Sequence, residues 1–145
     1  MNRIEQAVSC FDHDFPCSQS ILAAYGPDFG LDRDIALRLS DGFHGGMIGM
    51  GNTCGAVTGA IMVIGLKYGR TAASDIEAKM RTIEVTREFI KQFESRNDSI
   101  ICKDIIGCEI DTPEKVAAAR NQGIFNMICR YVVQDAAEIL EELLQ

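Results

Sequence analysis

Apolar residues return at three- and four-residue intervals near the start of the chain, where Ile4, Ala7, Val8 and Phe11 trace one face of a short helix. Pro16 breaks that pattern and opens another, because proline is tolerated in a first helical turn but not in a helix interior. The helix CSQSILAAY therefore begins at Cys17. The segment YGPDFG reads as a turn. Asp32 then caps a helix through IALRLS, with Ile35, Ala36 and Leu39 on its apolar side. The pattern stops at Gly42 to Gly51, GFHGGMIGMG, where five glycines in ten positions leave neither a helical nor a strand period. Such a loop turns tightly or lets its backbone approach something closely.

Thr53 follows as the expected N-cap of a helix from Cys54 to Tyr68. Gly55, Ala56, Gly59 and Ala60 line part of its surface, where small residues let another backbone come near. Ser74 or Asp75 caps the longest helix, DIEAKMRTIEVTREFIKQFESR, whose stripe includes Ile76, Met80, Ile83, Ile90 and Phe93. This helix ends at Asn97. Ser99 is the expected cap of a short helix that contains Cys102 and stops near Gly107. In TPEK, Thr112 reads as an N-cap with Pro113 at the first helical position. Two last helices are expected at about Pro113 to Gln122 and Phe125 to Leu144. No strand pattern exceeds four residues, so the fold expected is all-α. It is a compact multi-helix bundle of five to seven pieces, one domain over residues 1–145, with a glycine-rich loop before a central helix.

Charge narrows the function classes. Lys and Arg number 14 against 21 Asp and Glu, for a formal charge of -7, and the bases are scattered among acids. That argues against a nucleic-acid surface, which needs concentrated positive charge. The start of the chain lacks the continuous apolar core of a secretory leader, and the longest apolar run, AIMVIGL, is far too short for a membrane span. The expectation is a cytoplasmic protein without direct membrane insertion. Its six cysteines, Cys10, Cys17, Cys54, Cys102, Cys108 and Cys129, are too sparse for a disulfide scaffold. In a reducing compartment they suggest a metal site, a working dithiol or buried filling.

Three of these cysteines share a predicted position. Cys17 follows Pro16, Cys54 follows Thr53, and Cys102 lies three residues beyond Ser99. Unpaired backbone N–H groups at a helix start favour negative charge and lower a thiol pKa from its free value of roughly 8.5. No C-x-x-C pair is present, so a shared site must draw on separate helices, bringing Cys17, Cys54, Cys102 and Cys129 together. Each cysteine also has the simpler reading of a small buried hydrophobe. Cys129 lies inside a helix beside the stripe of Phe125, Ile128, Val132 and Ile139. Cys10 and Cys108 read as accessory, structural or resolving thiols.

His13 sits in an acidic turn and reads as a solvated residue. His44, enclosed by Gly42, Gly45 and Gly46, is better placed to tune or deprotonate the Cys54 thiol. No acid stands in a fixed third role, so a hydrolytic triad is not indicated. The glycine loop lacks the GK[ST] ending of a P-loop. Its N–H groups, with His44, Gly45, Gly46, Gly55 and Gly59 as the candidate binding residues, can still hold an anion or a thiolate sulfur.

The run Cys54-Gly55-Ala56-Val57-Thr58-Gly59 resembles the family named for its C-GCAxxG-C-C cysteine pattern, whose members are described as redox-active. The likeness runs from CSQSILAA at Cys17, through GFHGGM and CGAVTGAIMVIGLKYG, to ICKDIIG around Cys102 and the late Cys129. It implies that Cys17, Cys54, Cys102 and Cys129 are the four family cysteines, with Cys10 and Cys108 as additions. Such proteins are small, bacterial or archaeal, and often associated with transporter genes. A similar domain in split-Soret cytochromes brings an iron-sulfur site into consideration. This chain has no C-x-x-C-H motif, so haem is not carried across.

Three functions follow from these readings. In a thiol-disulfide redox or electron-transfer protein no cofactor is required: Cys54 attacks an oxidised redox partner, and Cys17 or Cys102 resolves the mixed disulfide. In a metal or iron-sulfur module, Cys17, Cys54, Cys102 and Cys129 are ligands to zinc or a cluster. In a structural protein the cysteines are buried, and the Gly55 to Gly59 face packs against a second copy in a homodimer. The redox reading is preferred.

Overall fold

The computed structural model describes residues 1–145. The chain forms eight right-handed helices and no strands. They are α1 (Arg3–Asp12), α2 (Cys17–Tyr25), α3 (Arg33–Ser40), α4 (Gly55–Tyr68), α5 (Ile76–Asn97), α6 (Cys102–Ile106), α7 (Pro113–Asn121) and α8 (Arg130–Leu143). This is one more piece than the pattern of apolar positions suggests. No helix is long and apolar enough to cross a membrane.

Helix α2 is the innermost element, since all nine of its residues are buried. Burying a polar group without a partner costs several kcal/mol in an apolar medium, so a helix carrying Ser18, Gln19, Ser20 and Tyr25 needs each one bonded. Ser18 Oγ donates to the Ser40 carbonyl at 2.8 Å, and Gln19 Nε2 to the Leu37 carbonyl at 2.9 Å. Both acceptors belong to the last turn of α3, whose carbonyls have no partner within the helix. Ser20 Oγ donates to the Phe15 carbonyl at 2.9 Å. Tyr25 donates from its hydroxyl towards the Ala137 carbonyl at 3.1 Å and Glu141 Oε2 at 2.8 Å, which ties α2 to α8.

Glycine allows α4 to lie close against α2. A Cβ on Gly59 would stand 3.0 Å from the Ser18 carbonyl oxygen and 3.2 Å from Ile21 Cβ. The Gly55 to Gly59 face is therefore occupied by α2 of the same chain, and is not open to a second subunit. Ile21, Leu22, Val57, Val63, Ile64, Phe89, Phe93, Val133, Ile139 and Leu140 fill the core that α2, α4, α5 and α8 enclose. A smaller cluster lies apart from it, with Cys102, Ile106, Ile110 and Ala119 buried and Cys108, Phe125 and Cys129 packed against them.

Several helix starts follow from local chemistry. Asp32 Oδ2 accepts from the Asp34 and Ile35 N–H groups, and Thr112 Oγ1 from Lys115. At α5 the choice between Ser74 and Asp75 falls to Asp75, whose Oδ1 accepts from the Ala78 N–H at 3.1 Å. Asp75→Ala should lower stability by about 1 kcal/mol, the usual worth of such a cap. Urea unfolding should show this as a lower midpoint with an unchanged slope.

Two expected starts are displaced. Helix α4 begins at Gly55 with Cys54 as its cap, one residue later than expected from a Thr53 cap. Tertiary pairing causes this: Thr53 bridges Ile101 in antiparallel fashion, and the Cys54 N–H is taken by the Ile100 carbonyl at 2.7 Å. Ser99 likewise does not cap α6. Its Oγ accepts from the Ile101 N–H at 2.9 Å, and Ile101 holds the cap position.

Candidate functional site

The glycine-rich segment departs most from ordinary backbone. Gly45, Gly46, Met47 and Ile48 have φ of 62°, 67°, 68° and 47°, a single left-handed turn. Glycine takes such angles without penalty, but Met47 and Ile48 each cost on the order of 1–3 kcal/mol there. Tertiary contacts hold the turn. Gly51 and Asn52 donate to the carbonyls of Gly45 and Gly46, each at 3.0 Å. A Cβ on Gly46 would meet the Asn52 nitrogen at 2.5 Å and Cys102 Cβ at 2.8 Å.

Beyond the turn, residues 51–54 run antiparallel to residues 100–103. The Cys102 N–H donates to the Asn52 carbonyl at 2.6 Å, and the Lys103 N–H to the Gly51 carbonyl at 3.2 Å. These bonds set the starts of α4 and α6, and with them Cys54 and Cys102, side by side. Pro16 at the cap of α2 puts Cys17 at that helix's first position. The contact of α2 with α4 then presses the Cys17 sulfur onto Gly55, where a Cβ would lie 2.6 Å from Sγ.

Cys17 and Cys54 lie close enough for each to shift the other's ionisation, and all six cysteines are free. The Cys17 pKa is lowered to about 7, first by the hydrogen bond from the Cys54 thiol and then, against the cost of burial, by the backbone N–H groups of Ser18, Gly45 and Ala56. Cys54 is raised well above the ordinary thiol value by its bond to Cys17, by burial and by the Cys17 charge, with only the Ala56 N–H opposing. The two sulfurs share one ionisation, and the number of N–H donors decides its location. Three point at Cys17 and one at Cys54. These donors favour the pair's negative charge on Cys17, at the start of α2.

Cys102 is pushed up to about 12, by burial first and then by the charges of Cys17 and Cys108. Burial also raises Cys129, followed by the charges of Cys17, Cys102 and Cys108. Cys129 ends a five-residue π-helical segment, Phe125–Cys129, that leads into α8. The expected continuous helix from Phe125 thus has one wide turn. That turn changes its facing: Phe125 and Cys129 pack on the smaller cluster, while Val132 and Val133 enter the main core. Cys10 stands apart, its pKa raised chiefly by burial.

The other candidate residues divide. The Gly45 N–H is among the groups that lower the Cys17 pKa, and Gly46 and Gly55 give Cys102 and Cys17 their room. Gly59 lies a turn away against Ser18 and Ile21. His44 is half-exposed, with Nδ1 2.5 Å from the Asp41 carbonyl, and is not among the groups that shift either Cys17 or Cys54. His13 bonds the Ser9 carbonyl on the surface. No three His, Cys, Asp or Glu side chains stand as a metal-ligating group. Sulfur donors suit zinc or iron-sulfur chemistry, but as arranged here they do not fit a closed metal site.

A small all-helical protein with a thiolate-thiol pair where two helix starts and a left-handed turn meet is a candidate redox protein. The chain matches the family model described as "Putative redox-active protein (C_GCAxxG_C_C)" over residues 15–143, and it belongs to that family. No curated protein and no solved structure matches it.

Proposed function

We propose that the protein is a thiol-disulfide redox protein that works through Cys17 and Cys54. The observation that carries this reading is the meeting of two free thiols at adjacent helix starts, with Cys17 at the first position of α2 pressed against Gly55 and Cys54 at the cap of α4; their surroundings lower the Cys17 pKa and raise that of Cys54. An attacking thiol is most effective when its pKa lies near the ambient pH. The Cys17 thiolate attacks a disulfide R–S–S–R′, forming Cys17–S–S–R and releasing R′S⁻. Cys54 then gives up its proton and attacks the Cys17 sulfur, expelling RS⁻ and closing the Cys17–Cys54 disulfide. Two electrons and two protons pass to the substrate. The six free thiols suit a reducing compartment such as the cytosol.

Anaerobic native mass spectrometry of the chain purified without added reductant, with iron, zinc and sulfide analysis, tests this. One equivalent of a disulfide should give an apo protein lighter by two protons, and peptide mapping should find the bond between Cys17 and Cys54. Stoichiometric iron or zinc, lost in a variant lacking Cys17, Cys54, Cys102 and Cys129, would replace this reading with the metal module.

A further inference from the structure

The redox pair is almost closed to solvent, and Cys108 lies outside the four-cysteine pattern. Gly107, at φ 74°, ends α6 and reverses the chain. The following residues run back along the helix, so that Ile110 reaches Gly45 and Gly49: its Cδ1 would be 3.0 Å from a Cβ on Gly45, and its carbonyl oxygen 2.8 Å from one on Gly49. Gly45 and Gly46 are the residues that touch Cys17 and Cys102. Cys108 lies on this return path and packs in the same small cluster as Cys102 and Cys129. It also lines a surface cavity of about 360 Å³ with Glu109, Lys115, Gln122 and Ile124.

We propose that Cys108 is a fifth redox thiol, which forms a second dithiol with Cys102 and connects the buried pair to small external thiols entering that cavity. The inference rests on the thiol-disulfide reading of Cys17 and Cys54. Cys102 attacks the Cys54 sulfur of the oxidised pair and expels Cys17, the better leaving group because its thiolate is the more stable. Cys108 then attacks Cys102, closing the Cys102–Cys108 disulfide and releasing Cys54. The protons of Cys102 and Cys108 pass to Cys17 and Cys54, and two electrons move with them. One molecule of external thiol RSH next attacks the Cys108 sulfur, forming Cys108–S–S–R and releasing Cys102, and a second attacks the R sulfur, leaving as R–S–S–R and restoring the Cys108 thiol. Oxidation of Cys17 favours the first step, since it removes a negative charge that helps to keep Cys102 protonated.

The cavity fits this task in size and chemistry. Its volume is at the small end for ligand sites, which suits a low-molecular-weight thiol better than a protein loop. Lys115 meets Glu109 at 3.2 Å and Asp111 at 2.8 Å, so the rim offers both charges to a polar ligand.

The full chain and its Cys108→Ser variant test the proposal. Each reduced protein receives one equivalent of diamide and is quenched with acid over time, and its disulfide is mapped. In the wild type the bond should appear at Cys17–Cys54 and migrate to Cys102–Cys108, whereas in the variant it should stay at Cys17–Cys54. Reduction by L-cysteine should then be about tenfold or more slower in the variant, and equally slow in Cys108→Ala. Equal reduction rates, or migration to Cys102–Cys129, would overturn the role of Cys108 and leave the pair intact. If no Cys17–Cys54 disulfide forms in either protein, the underlying redox reading falls and this inference falls with it.

Discussion

Cys54→Ala should raise the titration midpoint of Cys17 from about 7 by roughly one unit or more, because the hydrogen bond removed is the largest influence holding it down. One unit corresponds to about 1.4 kcal/mol. The midpoint is a better readout than a rate. A one-unit rise cuts the thiolate fraction at pH 7 about fivefold, but the more basic sulfur is intrinsically about threefold more nucleophilic, so the rate falls only about twofold. Thiolate absorbance or the pH profile of iodoacetamide labelling of Cys17 gives the midpoint. Cys102→Ala is the control: Cys102, with a pKa of about 12, is uncharged at pH 7 and should leave the Cys17 midpoint in place. An unchanged midpoint in Cys54→Ala would mean that backbone N–H groups alone hold the thiolate.

The same asymmetry makes stability depend on pH. In the folded pair the first proton leaves at about 7 and the second well above 9.0, whereas the two unfolded thiols both titrate near 9.0. The pair adds nothing below pH 7, because neither state has ionised. Its contribution grows from pH 7 to about 9, where the unfolded state binds more protons, and declines above that as both unfolded thiols ionise. The gain should be largest near pH 9 and should vanish in Cys17→Ser. Urea midpoints at pH 7 and pH 9 for the two proteins measure it.

Gly55→Ala should damage both the fold and the site, whereas Gly59→Ala should affect stability alone. A Cβ at position 55 would lie 2.6 Å from Cys17 Sγ and 3.1 Å from both the Phe43 carbonyl oxygen and Ser18 Cβ. Overpacking of this kind costs about 1–3 kcal/mol. Relief by moving the sulfur would take it from the Ser18, Gly45 and Ala56 N–H groups, so the Cys17 midpoint should rise. At Gly59 the new methyl meets the Ser18 carbonyl and Ile21, away from the thiol. Its cost should be similar, with no change in midpoint. A matching rise in both variants would mean that the spacing of α2 and α4, and not the contact at Gly55, sets the acidity of Cys17.

Much of the fold could be read from residues close together in the chain. The apolar spacing of Ile4, Ala7 and Phe11 marked α1, and Pro16 marked the start of α2. Asp32 and Thr112 marked two more starts, since a cap bonds only to the turn that follows it. The long α5 ended at Asn97 as expected. Cys17 and Cys54 stood out as helix-start thiols for the same local reason. The misplaced start of α4 was not local: the bond that competed with a Thr53 cap comes from Ile100, 46 residues along the chain. The wide turn before Cys129 left no mark in periodicity, because a single extra residue per turn looks like noise in a short segment.

By itself, then, the sequence determined an all-helical chain, the thiols at its helix starts and the family to which its motif belongs. Tertiary structure decided which thiols meet and which of them is surrounded by N–H groups that favour a negative charge. Helix formation depends on neighbours within about four residues, and those are written in order along the chain. The acidity of Cys17 depends on N–H groups from α2, α4 and a left-handed turn that converge on one sulfur, and their convergence exists only once the chain has folded.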